Sequence, residues 1–216
     1  MKRYINYTLL GITVLVLLFA CKGNKQENDA TPHKAEFVAE EGGFQFLPAA
    51  TTVRWTAYKT SDKLPVKGTF KLDSTAFTGR SGASPLAAVD GAQFNIPASA
   101  IFSGNPERDA ILRDFFFGLM DKTVSLTGTF SIDKSDHTSG ILAVTMNSES
   151  HDVPVRVTLA GDTVRINGVL DLNNWHVSKA LASLNEHCKL QHTGPDGKSK
   201  TWSEVAIEAE TVVRAH

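Results

Sequence analysis

The sequence predicts an all-β domain of about eight antiparallel strands, arranged as a closed barrel or as a sandwich. From Phe44 onward, apolar and polar residues alternate with a period of two in successive short runs. This is the pattern of strands with one buried and one exposed face. The length of 216 residues, with 42% hydrophobic and 21% charged residues, is ordinary for one globular domain. Periodicity alone does not distinguish the barrel from the sandwich.

The first twenty residues are predicted to be an export signal rather than part of this domain. A basic start at Lys2 and Arg3 precedes the apolar run Leu9–Phe19. That run is shorter than the roughly 20 residues that cross a bilayer. The segment Leu18–Cys21 resembles a bacterial lipobox, which implies that Cys21 carries a lipid anchor and becomes the N-terminal residue. An ordinary export signal and an uncleaved anchor are the alternatives.

A lipid-anchored tether and a folded domain are predicted to follow. Residues 21–43 are rich in polar and charged side chains, so they cannot bury enough apolar surface to offset the entropy of ordering, and we expect them to be flexible. Residues 44–216 form the predicted barrel domain. If Cys21 carries lipid, Cys188 has no disulfide partner within the chain, and the stability of the domain must come from its core.

Eight runs are predicted as strands. The alternation is clean in residues 53–58, 66–72, 124–132, 153–159, 164–170 and 204–210, and less clean in residues 92–96 and 141–146. Gly161 and Asp162 separate two of these runs and indicate a tight hairpin.

Three predicted strands carry a glycine on the buried face, at Gly68, Gly128 and Gly168. A glycine inside a strand gives up side-chain packing and marks a bend or the close approach of another group. The glycines either open space for a ligand tail inside a barrel or accommodate curvature and a neighbouring aromatic ring. The two interpretations are compatible.

Two short helices are predicted. Asn105 is a good N-cap, Pro106 suits the first helical position, and apolar residues at the following helical spacing form a buried face. A second helix is predicted within Val177–His187. The consecutive rings Phe115–Phe117 cannot all face one core from a regular helix. We interpret them as a lid over the barrel end or as a gate through which a lipid enters.

No motif in the sequence indicates catalysis, because the sequence lacks Gly-x-Ser-x-Gly, His-Glu-x-x-His, a phosphate-binding glycine loop and Cys-x-x-Cys. A loose cluster of His176, His187, Cys188 and His192 contains residue types that bind zinc, copper or haem iron, at a spacing that matches no closed metal motif. Arg108 beside an acid at the start of the first helix either clamps an anionic group or ties the helix to a strand.

Several segments together resemble the YceI-like family. Residues 55–59 (WTAYK) and 66–70 (VKGTF) resemble its opening strands. Residues 96–101 (IPASAI) and 104–116 (GNPERDAILRDFF) are similar to its central signature, in which a strand leads to Gly-Asn, Arg-Asp, Leu-Arg and a Phe pair. The resemblance covers residues 44–213. Residues 150–153 depart from the segment that usually precedes the proline at the entry to the sixth strand.

The resemblance implies an eight-stranded antiparallel lipocalin-like barrel with one or two short helices and no established catalytic residues. It also implies the binding of long amphiphiles, typified by polyisoprenoids, with the tail inside the barrel and no further cofactor. The residues expected to line this cavity are Trp55, Phe70, Phe94, Leu126, Phe130, Leu170, Phe115 and Phe116. Arg108 is expected to contact an anionic head group.

The predicted function is that of an exported lipoprotein whose barrel binds a polyisoprenoid, fatty-acyl or similar lipid for storage, transport or stress protection. The expected partners are this lipid and the membrane that holds Cys21. A net charge of −1 provides no basic excess for nucleic acid. Lys22 stands where an Asp favours inner-membrane retention in many Gram-negative lipoproteins, so we expect attachment to the outer membrane, facing the periplasm.

Two alternatives to this function stay open. One is an envelope enzyme or metal carrier that uses the region from His176 to His192. The other is a structural lipoprotein with a solid barrel, because the same alternation of residues also builds a filled core.

Overall fold

The computed structural model describes residues 43–216 and confirms the all-β prediction. Cys21, the predicted export signal and all but the last residue of the predicted tether lie outside the described residues. The eight long strands in the described part of the chain are β1 (Phe44–Lys59), β2 (Leu64–Phe70), β5 (Gln93–Pro97), β7 (Ser125–Ile132), β8 (Ser139–Met146), β9 (Glu149–Ala160), β10 (Thr163–Asp171) and β11 (Thr201–Ala215). Three strands of two residues are β3 (Phe77–Thr78), β4 (Ser81–Gly82) and β6 (Ile101–Phe102).

The strands form one curled antiparallel sheet. Its order is β3-β5-β7-β8-β9-β10-β11-β1-β2-β6, and β4 pairs with β1. β5 pairs with β7 near one end of this order, and β6 pairs with β2 at the other end. Along the chain, however, only residues 98–100 separate β5 from β6. Three residues span about 10 Å at most, so the two ends of the sheet meet at this segment. The sheet therefore curls into a lipocalin-like barrel rather than a sandwich.

Burial follows the predicted alternation most clearly in β5, β9 and β10. In β9, Val153, Val155 and Val157 are buried, and the residues between them are exposed. Two residues predicted on the buried face are exposed: Val124 to 81% and Leu159 to 42%. Both predictions are wrong because Val124 precedes the first residue of β7 and Leu159 lies next to the β9–β10 hairpin, where the sheet no longer covers the side chain.

Most of the helical segments lie at one end of the barrel, and one short helix lies near the other end, beside the first residues of β1. The described α-helices are α1 (Pro85–Val89), α2 (Pro106–Ile111), α3 (Ser178–His187) and α4 (Lys189–His192); α1 and α4 were not predicted. α2 begins as predicted, with the side chain of Asn105 accepting a hydrogen bond from the Arg108 amide at 3.0 Å. It continues as a π-helical turn over Leu112–Phe116 and a 3-10 turn over Phe117–Leu119. No helix within residues 43–216 is long and apolar enough to cross a membrane.

We call residues 106–119 and 178–192 the helical cap. Its apolar side chains pack over the sheet at the end where β1 finishes and β11 begins. The hydrophobic core runs from this cap along the axis of the barrel.

Candidate ligand-binding cavity

An apolar cavity of about 160 Å³ lies inside the barrel beneath the helical cap. Six of the eight residues predicted to line a cavity lie in its wall: Trp55, Phe70, Phe94, Phe116, Leu126 and Leu170. No charged side chain lines it. The indole N–H groups in the wall are satisfied, because Trp55 donates to the Thr69 carbonyl at 3.2 Å and Trp202 donates to the Thr60 carbonyl at 2.7 Å. The wall therefore presents an apolar surface to whatever enters.

A second apolar cavity of about 100 Å³ lies deeper in the barrel. Phe130, the seventh predicted lining residue, contributes to this second cavity. We call the side chains that border both cavities the waist; they are Val53, Phe94, Ile96, Leu142 and Ile207. The interior is therefore hollow and elongated, and side-chain movement at the waist would join its two parts. This arrangement does not fit the solid-barrel alternative.

Phe115, the eighth predicted lining residue, borders neither cavity. Its ring stacks on His187 with centroids 3.5 Å apart. Phe116 and Phe117 are buried and contact each other edge to face. Phe115 and Phe116 both lie in the π-helical turn, where consecutive side chains point in different directions around the helix axis, so the expectation for Phe115 is not met.

The buried glycines of the strands accommodate aromatic rings. A Cβ atom at Gly68 would lie 2.2 Å from the ring of Trp55. One at Gly128 would lie 1.9 Å from the carbonyl oxygen of Ala143 and 2.5 Å from the ring of Phe94. The sequence analysis predicted that these glycines make room either for a ligand tail or for a neighbouring ring, and a ring lies beside the glycine at both positions. Because these rings lie against the wall, they also leave the centre of the barrel open. At Gly168 the nearest atom is instead a methyl group of Val155.

A third cavity of about 150 Å³ adjoins the apolar cavity at the helical cap, and we call it the polar chamber. The two share the side chains of Trp55, Ala57, Leu112, Leu184 and Thr201. The other lining residues of the polar chamber include the apolar Val66 and Ile111 and the polar or charged Lys59, Asn105, Glu107, Arg108, Gln191 and His192. An apolar interior thus leads into a polar compartment.

Two of the three guanidinium nitrogen atoms of Arg108 form hydrogen bonds within the fold. Its Nε donates to the Ser103 hydroxyl at 2.8 Å, and its Nη2 donates to the Ser103 carbonyl at 3.1 Å. The same hydroxyl donates to the carboxylate of Asp109, which is buried. These bonds tie α2 to the end of β6, which is one of the two roles expected for Arg108. Its Nη1 makes no hydrogen bond with the residues that the structure describes.

The sequence analysis did not single out Lys59, which lines the polar chamber. A signal was present: Lys59 continues the series Val53, Trp55 and Ala57 at every second position of β1. A charged residue at an inward position at the end of a strand indicates a polar opening of the interior.

Burial keeps two titratable groups of the polar chamber neutral. Burial, and to a smaller extent the charge of Lys59, lower the pKa of His192 to about 4. Burial raises the pKa of the Cys188 thiol, although the nearby charges of Lys59 and Arg108 act in the opposite direction. At neutral pH the positive charges of this chamber are therefore those of Lys59 and Arg108.

The predicted metal-binding histidines do not converge. His176 bonds to Glu149 at 2.9 Å, His187 bonds to the Ser183 carbonyl at 2.9 Å, and His192 bonds to the Thr201 hydroxyl at 2.7 Å. Hydrogen bonds from His176, and then from His151, lower the pKa of Glu149. Residues 43–216 contain no group of three or more His, Cys, Asp or Glu side chains placed to hold a metal ion. The metal-site alternative therefore has no geometric basis in this region.

Comparisons with known proteins agree with this fold. The family model described as the YceI-like domain matches residues 44–213. A polyisoprenoid-binding domain from Saccharophagus degradans, implicated in plant cell wall breakdown, superposes with a TM-score of 0.53 at 11% identity, covering 82% of this chain and 100% of that one. BcnA of Burkholderia cenocepacia superposes with a TM-score of 0.50 at 18% identity, covering 79% and 99% of the two chains. No curated protein sequence matches the chain.

Proposed function

Because the chain belongs to the family of YceI-like domains, we propose that its barrel binds the apolar tail of a long amphiphile, a polyisoprenoid or another lipid. The observation that carries this proposal is the apolar cavity, which is free of charged lining residues and opens toward a polar chamber. The binding activity named for the Saccharophagus domain supports the choice of ligand class. The protein acts as a carrier or store of lipid rather than as an enzyme.

The energetics of tail burial are adequate for this function. Each methylene that leaves water stabilises the complex by about 0.8 kcal/mol. A tail of about ten such groups reaches micromolar affinity after the costs of association. The tail would occupy the apolar cavity first, and a longer tail would displace the waist and enter the second cavity.

Native ligand identification tests the proposal directly. Protein purified from its own host is extracted with organic solvent, and the extract is analysed by mass spectrometry. We expect one class of long-chain lipid in near-stoichiometric amount. A protein that is purified without lipid and that binds no prenol or fatty acyl compound when these are added would contradict the proposal.

A pair of variants on β8 locates the tail. Leu142 lies at the waist, whereas Ile141 is paired with exposed Pro154 on the outer face of the barrel. Leu142→Trp fills the interior, so we expect it to abolish binding of a long prenol. Ile141→Trp adds the same side chain to the outer face and is the matched control, with binding unchanged. Equal binding by both variants would place the tail elsewhere.

The proposed location is the outer membrane, with Cys21 lipidated and the barrel facing the periplasm. Two or more acyl chains on one residue are sufficient for stable anchoring. Metabolic labelling with palmitate tests this: Cys21→Ser is expected to remain unlabelled and unprocessed with its barrel folded. Cys188→Ser, which changes the only other cysteine, is expected to label like the wild type. Labelled or normally processed Cys21→Ser protein would refute the anchor.

A further inference from the structure

The polar chamber lies where the head group of a bound amphiphile must lie. A tail in the apolar cavity that leaves the barrel at the helical cap passes Trp55, Leu112 and Leu184, which line both compartments. The next side chains it meets are those that line the polar chamber, among them Lys59, Arg108, Gln191 and His192. The chemistry of this chamber therefore selects the head group.

Positive charge predominates in the polar chamber. Lys59 is a half-buried residue whose ammonium group forms no ion pair or hydrogen bond with the residues that the structure describes, and Arg108 retains an unused Nη1 there. The charges of Lys59 and Arg108 lower the pKa of the Cys188 thiol, whereas the charge of Glu107 raises it. Glu107 is the one acidic side chain in the described lining, and it is exposed to solvent. A half-buried cation without a partner indicates a site for an anion.

We propose that the polar chamber binds an anionic head group, a phosphate or a carboxylate, through Lys59 and Arg108. This inference rests on the proposed function, because the tail must occupy the apolar cavity to place the head group there. The ligand is then an anionic amphiphile such as a prenyl phosphate or a long-chain carboxylic acid. The Nη1 of Arg108 and the ammonium of Lys59 donate charge-assisted hydrogen bonds to it, while the remaining bonds of Arg108 to Ser103 keep the guanidinium in place.

Three ligands that share one C20 prenyl chain and differ in their head group distinguish the contribution of the head group to binding from that of the tail. Geranylgeranyl phosphate, geranylgeranoic acid and geranylgeraniol are titrated against the full barrel domain with a neutral fluorescent probe, N-phenyl-1-naphthylamine, bound in its interior. We expect one or both anions to bind at least about tenfold more tightly than the alcohol. Raising the salt concentration is expected to reduce this difference and to leave binding of the alcohol unchanged.

A matched pair of lysine variants assigns the effect to the polar chamber. Lys59→Met is expected to weaken anion binding about tenfold and to leave alcohol binding unchanged. Lys67→Met makes the same charge change at an exposed position of β2, outside the described cavities, and is expected to have no effect. If Lys59→Met does not fold, Lys59→Gln takes its place, because it removes the same charge and keeps a polar side chain at this position.

The outcomes distinguish failure of this inference from failure of the proposed function. If all three ligands bind equally, with the same response to salt, the anion site is refuted while tail binding stands. If Lys67→Met weakens anion binding as much as Lys59→Met does, the effect is general electrostatics and the site is refuted. If none of the three ligands displaces the probe, the proposed function fails and the inference fails with it. Preference for the phosphate alone or for the carboxylate alone supports the site and identifies its ligand.

Discussion

Individual glycines set the shape of the barrel wall by making room for aromatic rings. Gly79 is the simplest case, because the three atoms nearest to a Cβ atom there all belong to Phe46, the first of them a ring carbon at 2.1 Å. Phe46 is buried and borders the second cavity. A methyl group at residue 79 would therefore force this ring toward the interior.

Gly79→Ala is expected to destabilise the domain by about 1–3 kcal/mol, the usual cost of overpacking. Phe46→Ala in the same chain is expected to remove part of that cost, because the two atoms nearest to the added methyl group are Cδ1 and Cγ of Phe46, which alanine lacks. Urea unfolding of the two single variants and the double variant measures the coupling between the sites. Additive effects would show that the methyl group and the ring do not meet.

His192 makes the stability of the domain depend on pH. Its pKa in the folded state is about 4, below the ordinary value of 6.5, so the unfolded chain takes up the proton first. The free energy of unfolding is therefore expected to fall as the pH decreases from about 6.5 to about 4, by about 1–2 kcal/mol once partial exposure is allowed for. The groups that face the imidazole are Lys59, whose charge adds to the effect, and the hydroxyl of Thr201.

Urea unfolding at pH 7, 5 and 4 checks the contribution of His192. His192→Gln is expected to lose this part of the pH dependence, while other acid-sensitive groups still act in both proteins. His137→Gln, at an exposed loop position, is the control and is expected to follow the wild type. Parallel curves for the wild type and His192→Gln would contradict the assignment.

At the level of secondary structure, a buried carboxylate anchors α2 to the sheet. Asp109 is only 5% exposed and accepts hydrogen bonds from both the amide and the hydroxyl of Ser103. Asp109→Ala leaves these two donors without an acceptor, so we expect a loss of about 2–3 kcal/mol. Asp114→Ala removes an exposed acid from the same segment and is expected to cost less than about 0.5 kcal/mol. Thermal unfolding of the pair measures the difference, and equal costs would refute the anchor.

The long elements were predictable because each carries its own local signal. α2 has a capping Asn105 and Pro106, and β9 alternates strictly from Val153 to Val157. α1 and α4 were missed because they span only five and four residues, too few for a helical period to register. The helical spacing also gives no sign of the π-helical turn over Leu112–Phe116, which packs against α3.

The candidate site also contains residues that the sequence predicts and residues that it does not predict. Residues of the apolar cavity such as Trp55, Phe94 and Leu170 were predictable, because strand alternation places them inside. The polar chamber was not, because it joins Lys59 at the end of β1, Arg108 on α2 and His192 on α4. These elements are far apart in sequence, and only the tertiary fold brings them together.

At the scale of the whole molecule, neighbouring strands of the barrel pair over very different lengths. β10 pairs with β11 along its entire length, from Thr163 to Asp171. Between β2 and β6, only Thr69 pairs with Phe102 and Phe70 with Ile101. One further hydrogen bond, from the Lys71 amide to the Ala100 carbonyl at 2.8 Å, extends this contact.

Native-state amide hydrogen exchange is expected to reveal this weak ladder. The Lys71 amide should exchange orders of magnitude faster than that of Ile166 in the middle of β10, because separating two short strands breaks few bonds. Equally slow exchange at both amides would show that the barrel opens only by global unfolding.

The barrel is expected to open locally at the short β2–β6 ladder before it opens elsewhere. Phe70 and Ile101 belong to that ladder and also line the apolar cavity, so a transient separation of these strands exposes the cavity sideways, between neighbouring strands. A long flexible chain could then slide in along its length instead of threading end-on past the helical cap. Once inside, the chain would contact both strands and hold them together, so exchange at Lys71 should slow when a tail is bound.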